Sequence, residues 1–322
     1  MNGAVTIEWI IRSRCTAYLP VMQPSPLALS IGSPRDRAWL TLRTALAPMA
    51  WGATYWVFTE TLPTSHPLTV GALRSVPAGL LLLVFARPRL PRRGAWLRLG
   101  VLGLANIGLF SALLFVAAAR LPGGTAATLI STQPLIATLV AWPALGHRPS
   151  VAALGCALFG VVGVALLTSG ADATDTLGVV AALGAALSMG TGTVLVKRWR
   201  GLAPPLSLAA WQLILGGLAL APVAFVLEGP PPPPTVTHLV GLALLVTVGT
   251  ALTFALWIRG VAVLGQDAAF LGLLSPLVAA AIGALLLDQW FCGEQLVGVA
   301  LVLLAAVGGA ALGRARTAGG ES

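Results

Sequence analysis

Apolar residues fall into ten long runs separated by short polar connections, at roughly residues 44–60, 67–86, 98–119, 122–145, 150–168, 176–196, 205–227, 237–258, 267–287 and 294–312. A helix needs about 20 apolar residues to cross a bilayer, and each run is near that length. The runs are unbroken. Barrel strands would instead alternate over about ten residues, so the pattern predicts helices. Most connections are as short as those between packed helices. The run from Pro230 to Pro234 fills one of them and reads as a stiff spacer. The pattern as a whole predicts an all-α integral membrane protein with ten transmembrane helices.

Composition agrees. The 322 residues are 57% hydrophobic and 9% charged, with a mean hydropathy of +0.91, whereas soluble domains carry about 25% charged residues. A net charge of +9 would in a soluble chain raise the question of nucleic acid. Here the basic residues sit in short clusters between apolar runs and not along one polar face, so no nucleic-acid partner is expected. Cys15, Cys156 and Cys292 have no metal or disulfide spacing, and no metal or cofactor is expected.

The placement of Lys and Arg predicts orientation. Seventeen of the 19 lie in one alternating set of segments, among them Arg12, Arg14, Arg35, Arg37 and Arg43, Arg87 to Arg98, Arg148, Lys197 to Arg200, Arg259, Arg314 and Arg316. Arg120 stands alone in the other set, and Arg74 falls inside a span. The split requires ten alternating spans and predicts a multi-pass cell-membrane protein with both termini cytoplasmic. Residues 1–43 read as a basic, disordered tail with Pro20, Pro24, Pro26 and Pro34. They lack a compact apolar stretch followed by a small-residue cleavage site and are not read as a signal peptide.

The chain also repeats itself. At an offset of 138, Pro67-Leu68-Thr69 aligns with Pro205-Leu206-Ser207, Gly52 with Gly190, Arg74 with Gln212 and Gly79 with Gly217. At 141, Gly100 meets Gly241, Asn106 meets Thr247 and Gly108 meets Gly249; at 142, Gly123 meets Gly265 and Pro134-Leu135 meets Pro276-Leu277. The expected units are residues 44–168 and 176–312, followed by a short cytoplasmic tail at 313–322. Five helices per unit is an odd number, so the second copy enters the membrane upside down. Such inverted repeats are common in secondary transporters, with the substrate near the midplane between repeats.

Trp51-Gly52-Ala53-Thr54, Leu73-Arg74, Leu121-Pro122-Gly123-Gly124, Gln133-Pro134-Leu135 and Leu274-Ser275-Pro276, in this order and duplicated, resemble the EamA family of the drug/metabolite transporter superfamily. Gly146-His147-Arg148-Pro149 stands where that family often has Gly-Glu-Arg, and Asp288-Gln289-Trp290 departs further. The resemblance covers about residues 44–312. It implies a central cavity lined by spans one to four and six to nine, with spans five and ten at the periphery. It also implies export or exchange of amino acids and related metabolites.

Several residues are candidates for the cavity. Trp51, Thr54, Tyr55 and Phe58 share one helix face, as do Thr247, Thr250, Phe254 and Trp257, and Thr125, Thr128 and Thr132. Apolar walls with a few placed polar groups suit an organic solute; helix–helix contact is the other reading of the same stripes. Arg74 is an intramembrane cation, read either as an anchor for a carboxylate or phosphate or as a structural group that pairs with Glu60 or snorkels outward. Glu60 itself is read as a proton-coupling group or as an interfacial acid. Asn106, Gln133, Trp211 and Gln212 complete the cavity set. Pro134 and Pro276 are expected to kink their helices, and Gly155, Gly160, Gly163, Gly298, Gly308 and Gly309 to permit close helix packing.

The expected partners are a small polar metabolite, the bilayer and a coupling proton. A multidrug or lipid-type exporter on the same fold is the alternative. An intramembrane enzyme is remote, because the sequence has no HExxH or GxSxG and no clustered acids or His pair.

Overall fold

The computed structural model describes residues 34–86, 90–146, 149–167, 175–199, 201–264 and 271–319. Residues 1–33, Arg87, Arg89, His147, Arg148, Arg200 and Gly265, all used above, lie outside them. Contacts divide the chain into Met1–Leu40, whose described part is helical, and Thr41–Ser322.

The described residues contain helices and no strands. We label the helices α1 Pro34–Thr61, α2 Pro67–Ala86, α3 Arg93–Ala118, α4 Gly123–Leu145, α5 Val151–Leu167, α6 Thr176–Arg198, α7 Pro205–Glu228, α8 Val236–Leu264, α9 Leu274–Leu287 and α10 Gly293–Gly319. Six of them, α2, α3, α4, α6, α7 and α8, are long and apolar enough to cross a membrane, and α5, α9 and the Gly293–Gly308 part of α10 are shorter apolar helices. The exterior confirms the class of solvent: Phe85, Phe159, Phe225, Val226 and Leu285 stand exposed, while Ser75, Ser111, Thr125, Thr128 and Thr250 are buried. Polar groups inside and apolar groups outside is the inverse of a soluble domain and fits a lipid surround.

Two predicted boundaries move. α1 begins at Pro34 and not at residue 44, because Pro presets the first helical φ and Asp36 lies in the first turn, where the helix dipole favours an anion. α10 runs to Gly319, through most of the predicted tail.

The prolines expected to kink helices act differently. α4 is interrupted at Ser131–Thr132, and Pro134 sits in the first turn after the break. Pro276 likewise lies in the first turn of α9, after a turn at Gly272–Leu273. A first-turn N–H has no intrahelical partner, so proline costs little there. Each proline restarts a helix and does not bend a continuous one.

Glycines set the closest approaches. A Cβ on Gly79 would lie 2.7 Å from Ile214 Cγ1, and one on Gly217 2.7 Å from Val76 Cγ2, so α2 and α7 cross at these residues. A Cβ on Gly52 would lie 2.5 Å from Ser275 O and 3.1 Å from Ala279 N, which seats α1 on α9. A Cβ on Gly190 would lie 3.1 Å from Gln133 O and 3.2 Å from Ala137 N, which seats α6 on α4. Gly163 and Gly298 bring α5 and α10 together, and Gly308 adds to that seam, while a Cβ on Gly160 would lie 2.5 Å from Leu135 Cδ1 of α4. Gly155 does not: nothing lies within 4 Å of its Cβ position.

Polar groups at the helix ends tie elements together. Glu228, at the end of α7, accepts from the Leu68 N–H (2.7 Å), the Thr69 N–H (2.9 Å) and the Thr69 hydroxyl (2.7 Å) at the start of α2. Charge-assisted bonds at a helix N-terminus are among the stronger ones. Glu228→Ala is therefore expected to cost about 1–2 kcal/mol, read from thermal unfolding in detergent. Asp175 caps α6 by accepting from the Gly178 N–H at 2.9 Å, and it pairs with Arg120 at 2.8 Å. These two contacts, the backbone bond first, hold its carboxyl below the usual carboxylate range. A lowered folded pKa means that the contribution is present above the unfolded carboxylate pKa and is lost as pH falls through the folded one. The difference in Tm between wild type and Asp175→Ala should accordingly shrink on acidification from about pH 6 to about pH 3.

Candidate functional site

Among the described residues, three polar clusters and one further polar pair join helices far apart in sequence. The first surrounds Arg74, which is 7% exposed and about two turns into α2. Its Nη2 donates to Ser111 Oγ at 2.9 Å, and its guanidinium carbon lies 5.0 Å from the Phe115 ring centroid. Phe115 in turn packs on Phe58 of α1 at 4.8 Å. Arg74 Nε has no hydrogen-bond partner. The side chain is thus held inside the bundle, and the snorkelling reading fails. It bonds to Ser111 and stacks on Phe115, and it does not pair with Glu60. Glu60 stands exposed at the end of α1, outside the buried set.

The second cluster joins α3 to α7. Asn106 Nδ2 donates to Gln212 Oε1 at 2.7 Å, and both residues are buried. Beside Gln212, Trp211 meets Trp96 edge to face at 5.1 Å, and its buried Nε1 has no partner.

The third cluster joins α1 to α8. Trp51 Nε1 donates to Thr253 Oγ1 at 3.1 Å, and its ring lies 5.9 Å from Phe254 and 5.4 Å from Trp257. Thr54 and Tyr55 are buried on the same helix, and Thr250 Oγ1 is buried without a partner. On α4, Gln133 Nε2 donates to Thr193 Oγ1 of α6 at 3.2 Å.

One residue of a predicted stripe does not join the others. Thr247 is exposed, and its hydroxyl bonds back to Ala243 O at 2.6 Å. Thr247–Leu252 is π-helical. A π-turn inserts one residue and shifts the helical phase, so Thr250 and Thr253 turn inward and Thr247 turns out. Its predicted counterpart Asn106 is buried, so the two are not equivalent in burial. α3 carries its own π segment, Leu104–Leu109, around Asn106. Such segments are well under 1% of residues and recur at functional sites.

The sequence reading also missed Ser111, Phe115, Thr253, Trp96 and Thr193, which complete these clusters. One signal was available for two of them: at offset 142, Ser111 falls on Thr253. At one end of the bundle, Tyr55, Trp56, Thr59, Leu121, Ile282 and Gln289 are among the residues lining a recess of about 290 Å³, its open mouth included. Among the described residues no group of His, Cys, Asp and Glu is placed to hold a metal ion.

These features define a multi-pass helical membrane protein with polar, partly unsatisfied groups buried between its helices. The EamA-like transporter family model matches residues 39–169 and again residues 176–308. The chain belongs to the EamA-like transporter family. It is similar to protein PecM of Dickeya dadantii (strain 3937), 39% identical over 81% of this chain and 89% of that one. A probable amino-acid metabolite efflux pump of Escherichia coli (strain K12) is 25% identical over 80% of this chain and 90% of its own length. A solved protein structure superposes with a TM-score of 0.60 at 20% identity, covering 86% of this chain and 98% of that one; this is a likeness of fold.

Proposed function

We propose that the protein is a secondary transporter that moves a small polar metabolite, an amino acid or related compound, outward across the cell membrane by alternating access. The proposed architecture is ten spans in two inverted five-helix repeats, residues 44–168 and 176–312, with both termini cytoplasmic.

The observation that carries this reading is the doubled seating of glycines. Gly52 lies against Ser275, Val278 and Ala279, and Gly190 lies against Gln133, Ile136 and Ala137. The two glycines are 138 residues apart, and their three partners are each 142 apart. Gly79 on Ile214 and Gly217 on Val76 are related in the same way, by a single offset of 138. Contacts that exchange under a two-fold operation make two opposite packings nearly equal in energy. That near-equality is what alternating access requires. The two π segments in α3 and α8 and the two matches of the family model support the same duplication. The unpartnered polar atoms of Arg74, Trp211 and Thr250 are the groups a passing solute would satisfy.

The test is flux from proteoliposomes loaded with a mixed pool of amino acids and small metabolites, with and without an imposed pH gradient and followed by mass spectrometry. Selective loss of one solute class supports transport, and its dependence on the gradient reports proton coupling. Loss of nothing from vesicles of folded protein rejects the metabolite reading in favour of a lipid or drug substrate. Orientation has its own check. A cysteine introduced in the Arg120 connection should react with an impermeant maleimide from outside intact cells, and one beside Arg259 should not. The reverse pattern would invert the proposed topology.

A further inference from the structure

We propose that Arg74 is the binding site for a carboxylate on the transported solute, and that the solute is an organic monoanion with an apolar, ring-sized body. The inference rests on the transport reading above and narrows its substrate from amino acids and related compounds to a relative that keeps the carboxylate and lacks the ammonium group.

Among the described residues Arg74 is the one buried charged side chain. The described acids, Asp36, Glu60, Asp175, Glu228, Asp288 and Glu294, all lie at helix ends or in connections. A buried cation without an anion is costly. The cost is tolerable where a ligand supplies the missing charge.

The donors fit that role. A guanidinium has five N–H groups in a planar fork that matches a carboxylate. Ser111 takes one on Nη2, which orients the plane, and Nε is left unpartnered. The neighbouring side chains are aromatic: Phe115 stacks under the guanidinium at 5.0 Å, Phe58 packs on Phe115, and Tyr55 is buried on the same face of α1 as Phe58. An apolar body with one carboxylate matches both the fork and these aromatic neighbours. A phosphomonoester would bring a charge of about −2 to a single buried cation. An organic cation would meet only like charge.

The test uses five probes that share a phenyl ring: phenylacetate, phenylalanine, phenethylamine, benzyl alcohol and phenyl phosphate. Binding to the full chain in nanodiscs is measured by calorimetry. Phenylacetate should bind tightest, and its binding should weaken in the wild type as pH is lowered through the ligand's own carboxyl pKa. Arg74→Gln should lose about 10- to 100-fold in phenylacetate affinity, the size of a charged hydrogen-bonded contact, and a smaller factor for benzyl alcohol. Equal binding of phenylacetate and benzyl alcohol overturns the proposal. So does phenylacetate binding in the wild type that ignores pH, a readout that needs no variant to fold. Labelled-phenylacetate counterflow in proteoliposomes separates the two claims. Counterflow equal in wild type and Arg74→Gln overturns the anion site and leaves transport standing. Arg74-dependent binding without counterflow sustains the site and rejects transport.

Discussion

Gly216→Val is expected to abolish stable folding, as a loss of monodisperse protein on gel filtration in detergent. A Cβ at Gly216 would collide with the Gly103 carbonyl oxygen and would lie 2.7 Å from Ile107 Cβ and 2.8 Å from Gly108 N. Two of these three atoms are backbone, and the third is fixed to it. None can swing aside as a side-chain tip would. Overpacking a core costs about 1–3 kcal/mol when side chains can adjust. Here whole helices must separate along the α3–α7 seam, so the expected cost is at or beyond the upper end of that range. Gly100→Ala is the matched control. It lies on the same helix as Gly103, with nothing within 4 Å of its Cβ position. It should be neutral or gain up to about 1 kcal/mol from helix propensity. Equal folding of Gly216→Val and Gly100→Ala would mean that the seam is not as close as described.

The second large effect is expected at the amide pair. Asn106 donates to Gln212 at 2.7 Å with both side chains buried. Asn106→Leu removes the donor and leaves Gln212 with an unsatisfied buried oxygen, a penalty of about 1–3 kcal/mol. Gln212→Leu does the converse. The double variant leaves neither group orphaned, so its destabilisation should fall below the sum of the two singles. A coupling of about 1 kcal/mol is expected, since interhelical hydrogen bonds in membranes average about 0.6 and reach about 1.7 kcal/mol. Strict additivity in reversible unfolding would show that the two amides act independently. Asn106 also fills the space opposite Gly192, where a Cβ would strike its side chain. Asn106→Leu should accordingly loosen α6 as well, and Gly192→Ala should displace the Asn106 amide and weaken its bond to Gln212.

The amide pair also shows what was legible in the sequence. Asn106 and Gln212 were each readable as inward-facing polar residues, because a polar group in an apolar run must avoid lipid. That they bond to each other was not readable. They lie 106 residues apart, and periodicity reports which face a residue occupies, not what lies opposite it. The same holds for Arg74. Its depth in the span was plain, but Ser111 and Phe115 as its neighbours came only from the crossing of α2 and α3. Thr247 failed for a more local reason. The about 3.6-residue period assumes an unbroken α-helix, and the π segment Thr247–Leu252 breaks the phase inside the stripe. No residue in that segment announces the change. Pro134 and Pro276 were located correctly as irregular points, but whether a proline bends a helix or restarts one depends on the hydrogen bonds around it.

The sequence by itself determined the solvent, the helical class, the position of the apolar runs and the family resemblance. Bilayer crossing demands about 20 apolar residues and internally satisfied backbone, and both demands are written locally. The spacing of Gly and Pro carried the expectation of a duplication, because a close approach or a restarted helix requires those residue types wherever the fold places them. Only the tertiary structure decided which polar groups meet, which remain unpartnered and which glycines carry the seams. Those outcomes depend on the crossing of helices distant in sequence: Gly155 and Gly163 look alike along the chain, yet one faces open space and the other the backbone of α10.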